Sequence, residues 1–130
     1  MQPIGNVVFI QGDITSARTQ EEISTNMDQS KASLIVCDGA PPNQGIFNTT
    51  YFMQNKLLDS CLQVVNALIK DGGHFVSKIF IDDQKDIFYS QFILDKFKPF
   101  FSDVEIYKPD SSRNSSNENF VICRKFRSKV

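Results

Sequence analysis

The chain has 130 residues, 41% of them apolar and 22% charged, with 12 Phe, no Trp and a formal net charge of −1. That is one domain's worth of globular sequence. No run approaches the roughly 20 apolar residues that span a bilayer, and Met1-Gln2-Pro3-Ile4-Gly5 has no basic stretch followed by an apolar one, so neither a membrane partner nor a secretory signal is expected.

In chain order, Val7-Val8-Phe9-Ile10-Gln11 is an apolar run closed by Gly12-Asp13, which predicts a strand with Asp13 at its carboxyl end. Thr19-Gln20-Glu21-Glu22 fits a capping box, so a helix is expected over about 20–29 with a thin apolar stripe of Ile23 and Met27. Leu34-Ile35-Val36-Cys37 reads as a buried strand that stops abruptly at Asp38-Gly39-Ala40-Pro41-Pro42. Open α/β sheets bind ligands at such strand ends, which makes Asp38 a candidate site residue. A loop of Gly and Pro follows to Phe47.

Met53, Leu57, Cys61, Val64 and Leu68, with Leu58, Leu62, Val65 and Ile69 one step round, recur at three and four residues and predict a long helix over about 50–70. Asp71-Gly72-Gly73 is expected to end it, because glycine takes the left-handed C-terminal conformation cheaply. His74-Phe75-Val76-Ser77-Lys78-Ile79-Phe80 then reads as a buried strand whose one formal charge is Lys78, while His74 is expected to be structural. A lysine in an apolar layer must be paired or functional.

Asp82, Asp83 and Asp86 suit the positive N-terminal end of a helix over about 84–98, stopped by Pro99. Residues 101–107 alternate as a strand and 120–123 form another, with the polar turn-forming loop 108–118 between them. The order of elements predicts an α/β fold, a mostly parallel sheet with an antiparallel C-terminal hairpin.

Cys37, Cys61 and Cys123 are odd in number, widely spaced and set among apolar neighbours, which fits reduced, buried thiols and a cytoplasmic location. With a single His and no paired Cys, no metal site is expected. Charge is unevenly spread: residues 1–105 carry 8 basic and 13 acidic side chains, whereas residues 106–130 carry 6 and 2. A basic terminal segment on an acidic body can hold an anionic partner such as RNA locally.

Together, several segments resemble a known family. Val8 to Thr15, Cys37-Asp38-Gly39-Ala40-Pro41, Met53-Gln54 with Leu57-Leu58, Gly72-Gly73 with Phe75 to Phe80, and Lys108-Pro109 with Ser111 to Ser116 and Glu118 are similar, in order and spacing, to the FtsJ-type RNA 2′-O-ribose methyltransferases. Within that family the likeness is greatest to the eukaryotic members that methylate anticodon-loop riboses of tRNA. The resemblance implies a Rossmann-like fold, S-adenosylmethionine as cofactor and RNA as partner, with an adaptor protein directing the target nucleotide.

It further implies that Asp38, Lys78 and Glu118 are the last three members of a catalytic Lys-Asp-Lys-Glu tetrad, with Lys78 as proton acceptor. Asp38 would also lie beside the methionine part of the cofactor and Asp13 beside its adenine. Ser111, Ser112 and Arg113 would grip RNA, and Arg124, Lys125, Arg127 and Lys129 would add attraction for its backbone.

The family's fold begins earlier than this chain. Its first lysine, its glycine-rich cofactor loop and its second strand have no counterpart in the sequence, so residues 1–130 are expected to form one partial domain lacking the first strands. Alternatives within this reading are a ribosomal RNA methyltransferase of the same family and a non-catalytic RNA-binding remnant.

Overall fold

In the computed structural model, the described residues are 7–14, 16–28, 30–38, 47–81, 87–109 and 118–127. Their elements run α1 (Ala17–Asn26), β1 (Ala32–Cys37), α2 (Phe47–Leu68), β2 (Ile69–Phe80), α3 (Ile87–Phe97), β3 (Phe101–Tyr107) and β4 (Glu118–Phe126). The strands form one sheet in the order β1-β2-β4-β3. β1 and β2 are parallel, with α2 as the crossover, and β4 pairs antiparallel with both β2 and β3. The parallel pair and the C-terminal hairpin thus form as expected.

The apolar stripe of α2 explains the core. Leu58, Cys61 and Val65 pack with Phe75 and Ile79 of β2, Ile93 and Phe97 of α3, and Val121 and Cys123 of β4. All of these side chains are at most 2% exposed, and burying each large one stabilises the fold by about 1.5–3 kcal/mol before the entropy of ordering is counted. In strands the side chains alternate between faces. Phe75, Ser77 and Ile79 are therefore buried, and Val76, Lys78 and Phe80 between them are half-buried. The same alternation leaves Leu34 and Val36 of β1 55% and 65% exposed.

Three expectations are corrected. Residues 7–11 form no strand, and Val7, Val8 and Phe9 are 51%, 62% and 68% exposed. An apolar run becomes a strand only when a ladder partner takes its N–H and C=O groups, and none of the four strands pairs with it. With that run outside the sheet, one of the three strand pairings is parallel and two are antiparallel.

The cap of α1 is Ser16, with no side-chain capping bond. Thr19 sits one turn inside and packs over the backbone of Gly12, where an added Cβ would lie 2.6 Å from its Oγ1.

The two glycines after α2 do not end that helix; they make a bulge in β2. Pairing jumps from Ala32↔Ile69 to Leu34↔His74, so β2 carries three extra residues. Gly72 takes φ +80°, and a Cβ on Gly73 would meet Ile69 Cγ1 at 2.7 Å. A left-handed residue serves a bulge as well as a helix end. The segments 39–46 and 82–86, where the sequence placed a loop and the acidic start of a helix, lie outside the described residues, as do 110–117.

Candidate active site

Three strands deliver one charged cluster. Asp38 is the first residue past β1, and because Cys37 pairs with Ser77, it falls beside Lys78 of β2. Glu118 opens β4 opposite Phe80, two positions along the same face from Lys78. Lys78 Nζ donates to Asp38 Oδ1 at 2.8 Å and lies 3.3 Å from Glu118 Oε2. The side chains of Lys78, Asp38 and Glu118 are 25%, 71% and 31% exposed. The lysine is thus not sealed in the core, as a buried strand would have it, but stands on the face opposite α2 and α3.

Hydrogen bonding to Asp38 and then to Glu118 pushes the Lys78 pKa above its ordinary value. At rest this side chain is an ammonium ion.

Below the cluster, Gln54 in the second turn of α2 fixes the strand that bears Lys78. It is 2% exposed. Its Nε2 donates to the carbonyl of Phe80 at 2.9 Å, and its Oε1 accepts from the Phe80 N–H at 2.7 Å. β1 pairs with β2 only as far as Ser77, so the Gln54 amide stands in for a strand neighbour where β1 has ended. Tyr89 joins the network, accepting from Gln54 Nε2 at 2.7 Å and donating to Asn55 Oδ1 at 3.3 Å. The sequence did carry a signal for this residue. Gln54 continues the stripe of Leu58, Cys61 and Val65, and a polar group on a buried helix face must find partners.

Beside Asp38 is a cavity of about 300 Å³ lined by Ile14, Ile35, Cys37, Leu57 and Phe75. Ile14 follows Asp13, so the turn that carries the second candidate carboxylate abuts the same cavity. Its wall is apolar apart from Asp38, which suits a ligand with a cationic or amine donor attached to an apolar body.

The remaining candidates separate. Ser111, Ser112 and Arg113 lie outside the described residues. Arg124 is engaged by two carboxylates of β3, with Nη1 at 2.6 Å from Asp103 Oδ2 and 2.5 Å from Glu105 Oε2. Arg127 donates to the carbonyls of Lys98 and Phe101. His74 is structural: its Nδ1 accepts from the backbone N–H of Lys125, which takes φ +62°. Among the described residues there is no group of three metal-ligating side chains, and no helix is long and apolar enough to cross a membrane.

Compared with known proteins, the sequence matches the FtsJ-like methyltransferase family over residues 1–126. The chain belongs to that family. It is 43% identical over 124 residues to the human tRNA (cytidine(32)/guanosine(34)-2′-O)-methyltransferase, covering 95% of this chain and 36% of that protein. The Schizosaccharomyces pombe protein of the same name is 36% identical over 126 residues, 97% of this chain and 42% of the relative. An AdoMet-dependent rRNA methyltransferase of Yarrowia lipolytica is 35% identical, over 98% of this chain and 14% of its own length.

The FtsJ-like chain therefore spans less than half of these curated relatives. A crystal structure of a ribosomal RNA methyltransferase from Plasmodium falciparum superposes with a TM-score of 0.81 at 24% identity, covering 99% of this chain and 69% of that one. That agreement establishes the shared fold.

Proposed function

We propose that residues 1–130 are one partial domain of a cytoplasmic S-adenosylmethionine-dependent RNA ribose 2′-O-methyltransferase, acting on tRNA anticodon loops. The observation that carries the reading is the cluster of Lys78 with Asp38 and Glu118 at the strand ends of an FtsJ-like chain.

The residues present fit part of the cofactor. Asp38 and Asp13 are acceptors suited to its ammonium group and its adenine amino group. When bound, the cofactor supplies a methyl group on a sulfonium centre. The work of this chain is to align a ribose 2′-oxygen with that methyl and to deal with the hydroxyl proton.

As an ammonium held between two carboxylates, Lys78 donates to the 2′-oxygen and orients it. To accept the proton it must first lose its own, which Asp38 and Glu118 oppose. A cationic ligand next to Asp38 draws on the same carboxylate charge and lowers the lysine pKa towards the working range. Asp38 would thereby link ligand occupancy to the protonation of Lys78. Ser111, Ser112 and Arg113 belong to the RNA-gripping side of this reading, with an adaptor protein as a further partner.

The test is methyl transfer from labelled cofactor to unmodified tRNA and rRNA, with alkali-resistant riboses mapped afterwards. The expected result is labelling of tRNA anticodon-loop riboses that is lost in Lys78→Ala. Labelling confined to rRNA would replace the substrate with that of the rRNA relatives. No transfer to either RNA, with RNA affinity untouched by Lys78→Ala, would leave a binding module.

A further inference from the structure

One residue before Asp38, Cys37 meets a second thiol that the mechanism above does not use. Its Sγ lies 3.0 Å from Sγ of Cys61, which comes from the middle of α2. The contact joins residues 24 apart in sequence and spans the interface between β1 and α2. Neither cysteine is in a disulfide. Closing the gap to the ~2.05 Å of a disulfide needs an approach of about 1 Å, within the reach of side-chain rotation and a small movement of the helix on the strand.

The two thiols differ in a way that assigns them separate tasks. Both cysteines line the cavity beside Asp38, but Cys37 is half-buried and is the more open of the two to a small solute. Cys61 is 2% exposed, and its hydrogen bond with Cys37, followed by burial, holds its pKa well above the usual thiol range. Of the two, Cys37 is therefore the one that a solute disulfide meets first, with the Cys61 thiol held against it. An accessible thiolate with a second sulfur already in contact is the arrangement of an attacking and a resolving cysteine.

We propose that Cys37 and Cys61 form a reversible thiol–disulfide site that exchanges with low-molecular-weight disulfides such as oxidised glutathione. The Cys37 thiolate attacks one sulfur of oxidised glutathione, forming a Cys37–glutathione mixed disulfide and expelling one glutathione thiolate. That thiolate takes the proton of Cys61. Cys61 then attacks Cys37 Sγ, forming the Cys37–Cys61 bond and expelling the second glutathione, which is protonated from solvent. Two protein thiols are oxidised and one glutathione disulfide is reduced to two thiols, a two-electron exchange that reduced glutathione reverses. The bond would anchor the end of β1, next to Asp38, to α2.

Intact-mass analysis and peptide mapping of the protein at graded ratios of oxidised to reduced glutathione test this without reference to methyl transfer. The wild-type protein is expected to lose the mass of two hydrogen atoms, to map the bridge to Cys37 and Cys61, and to regain the mass on reduction. Cys61→Ser is expected to accumulate glutathione on Cys37, and Cys37→Ser to show neither the bridge nor the adduct. Cys123→Ser, which alters a fully buried thiol on β4, is expected to bridge like wild type. No bridge at any ratio, a bridge through Cys123, or a wild-type Cys37 adduct that Cys61 never resolves would each overturn the proposal.

Discussion

Under α2 and α3 the sheet presents Phe75, Ile79, Val121 and Cys123, all fully buried, whereas its other face presents Leu34, Val36, Lys78 and Arg124, open to solvent or half so. The covered face is largely apolar where it is sealed, and its buried polar groups have partners: Gln54 bonds Tyr89 and the Phe80 backbone, and Ser77 donates to the Lys78 carbonyl. No described side-chain nitrogen or oxygen is buried without a partner. The open face keeps its charges in clusters of opposite sign. One face holds the fold together and the other carries the proposed site, and a single strand, β2, serves both by alternation.

Variants on the two faces should therefore fail in different ways. Phe97→Ala, in the sealed layer, is expected to lower unfolding free energy by about 3–5 kcal/mol in a denaturant titration. Lys78→Ala, on the open face, is expected to cut methyl transfer about 10²–10⁴-fold, the usual range for a lost acid–base group. Its denaturation midpoint should move little, because ion pairs in contact with solvent, as this half-buried lysine's are through Asp38, contribute little to stability. A large midpoint shift in that variant would erase the distinction between the faces.

Gln54→Leu tests the joint between them. It leaves the Phe80 N–H and C=O without this partner, at a cost of about 1–3 kcal/mol for each group orphaned, while the Tyr89 hydroxyl keeps Asn55. Hydrogen exchange should quicken at Phe80 before it does at Phe75. Val36→Thr, by contrast, should stay within about 0.5 kcal/mol of wild type, since the side chain is already exposed.

The pH dependence sharpens the same comparison. The folded-state pKa of Lys78 is raised, so the stability its cluster contributes is fully present below the ordinary lysine value and lost as pH rises through the higher folded one. Stability attributable to Lys78 should thus be flat from pH 6 to 9 and fall only in alkali, seen as the difference between wild type and Lys78→Met in thermal melts.

These contrasts also mark what could be read from the sequence. α2 was legible because its apolar residues, from Met53 to Leu68, keep one period for about four turns, and packing then obeys the stripe. The Asp38, Lys78 and Glu118 cluster was legible because each residue sits at a strand end or breaks an apolar run, and the family resemblance supplied their order. Residues 7–11 were misread because hydrophobicity marks what wants burial, whereas a strand also needs a neighbour. Gly72 was misread because a left-handed glycine suits a helix end and a bulge equally, and only the register with β1 separates them. Gln54 was passed over within a family motif because its partners are backbone atoms 26 residues away, which side-chain patterns do not reveal.

The pairing of Arg124 with Asp103 and Glu105 bears on how any RNA would be held. Each phosphate that a cation neutralises releases bound counterions and steepens the fall of affinity with salt by about 0.7–0.9 in a log–log plot. A guanidinium already matched by two carboxylates releases none. Arg124→Gln should therefore leave the salt slope of RNA binding where it was, and the basic surplus after residue 105 overstates, by at least this one charge, the number of phosphates the segment can grip.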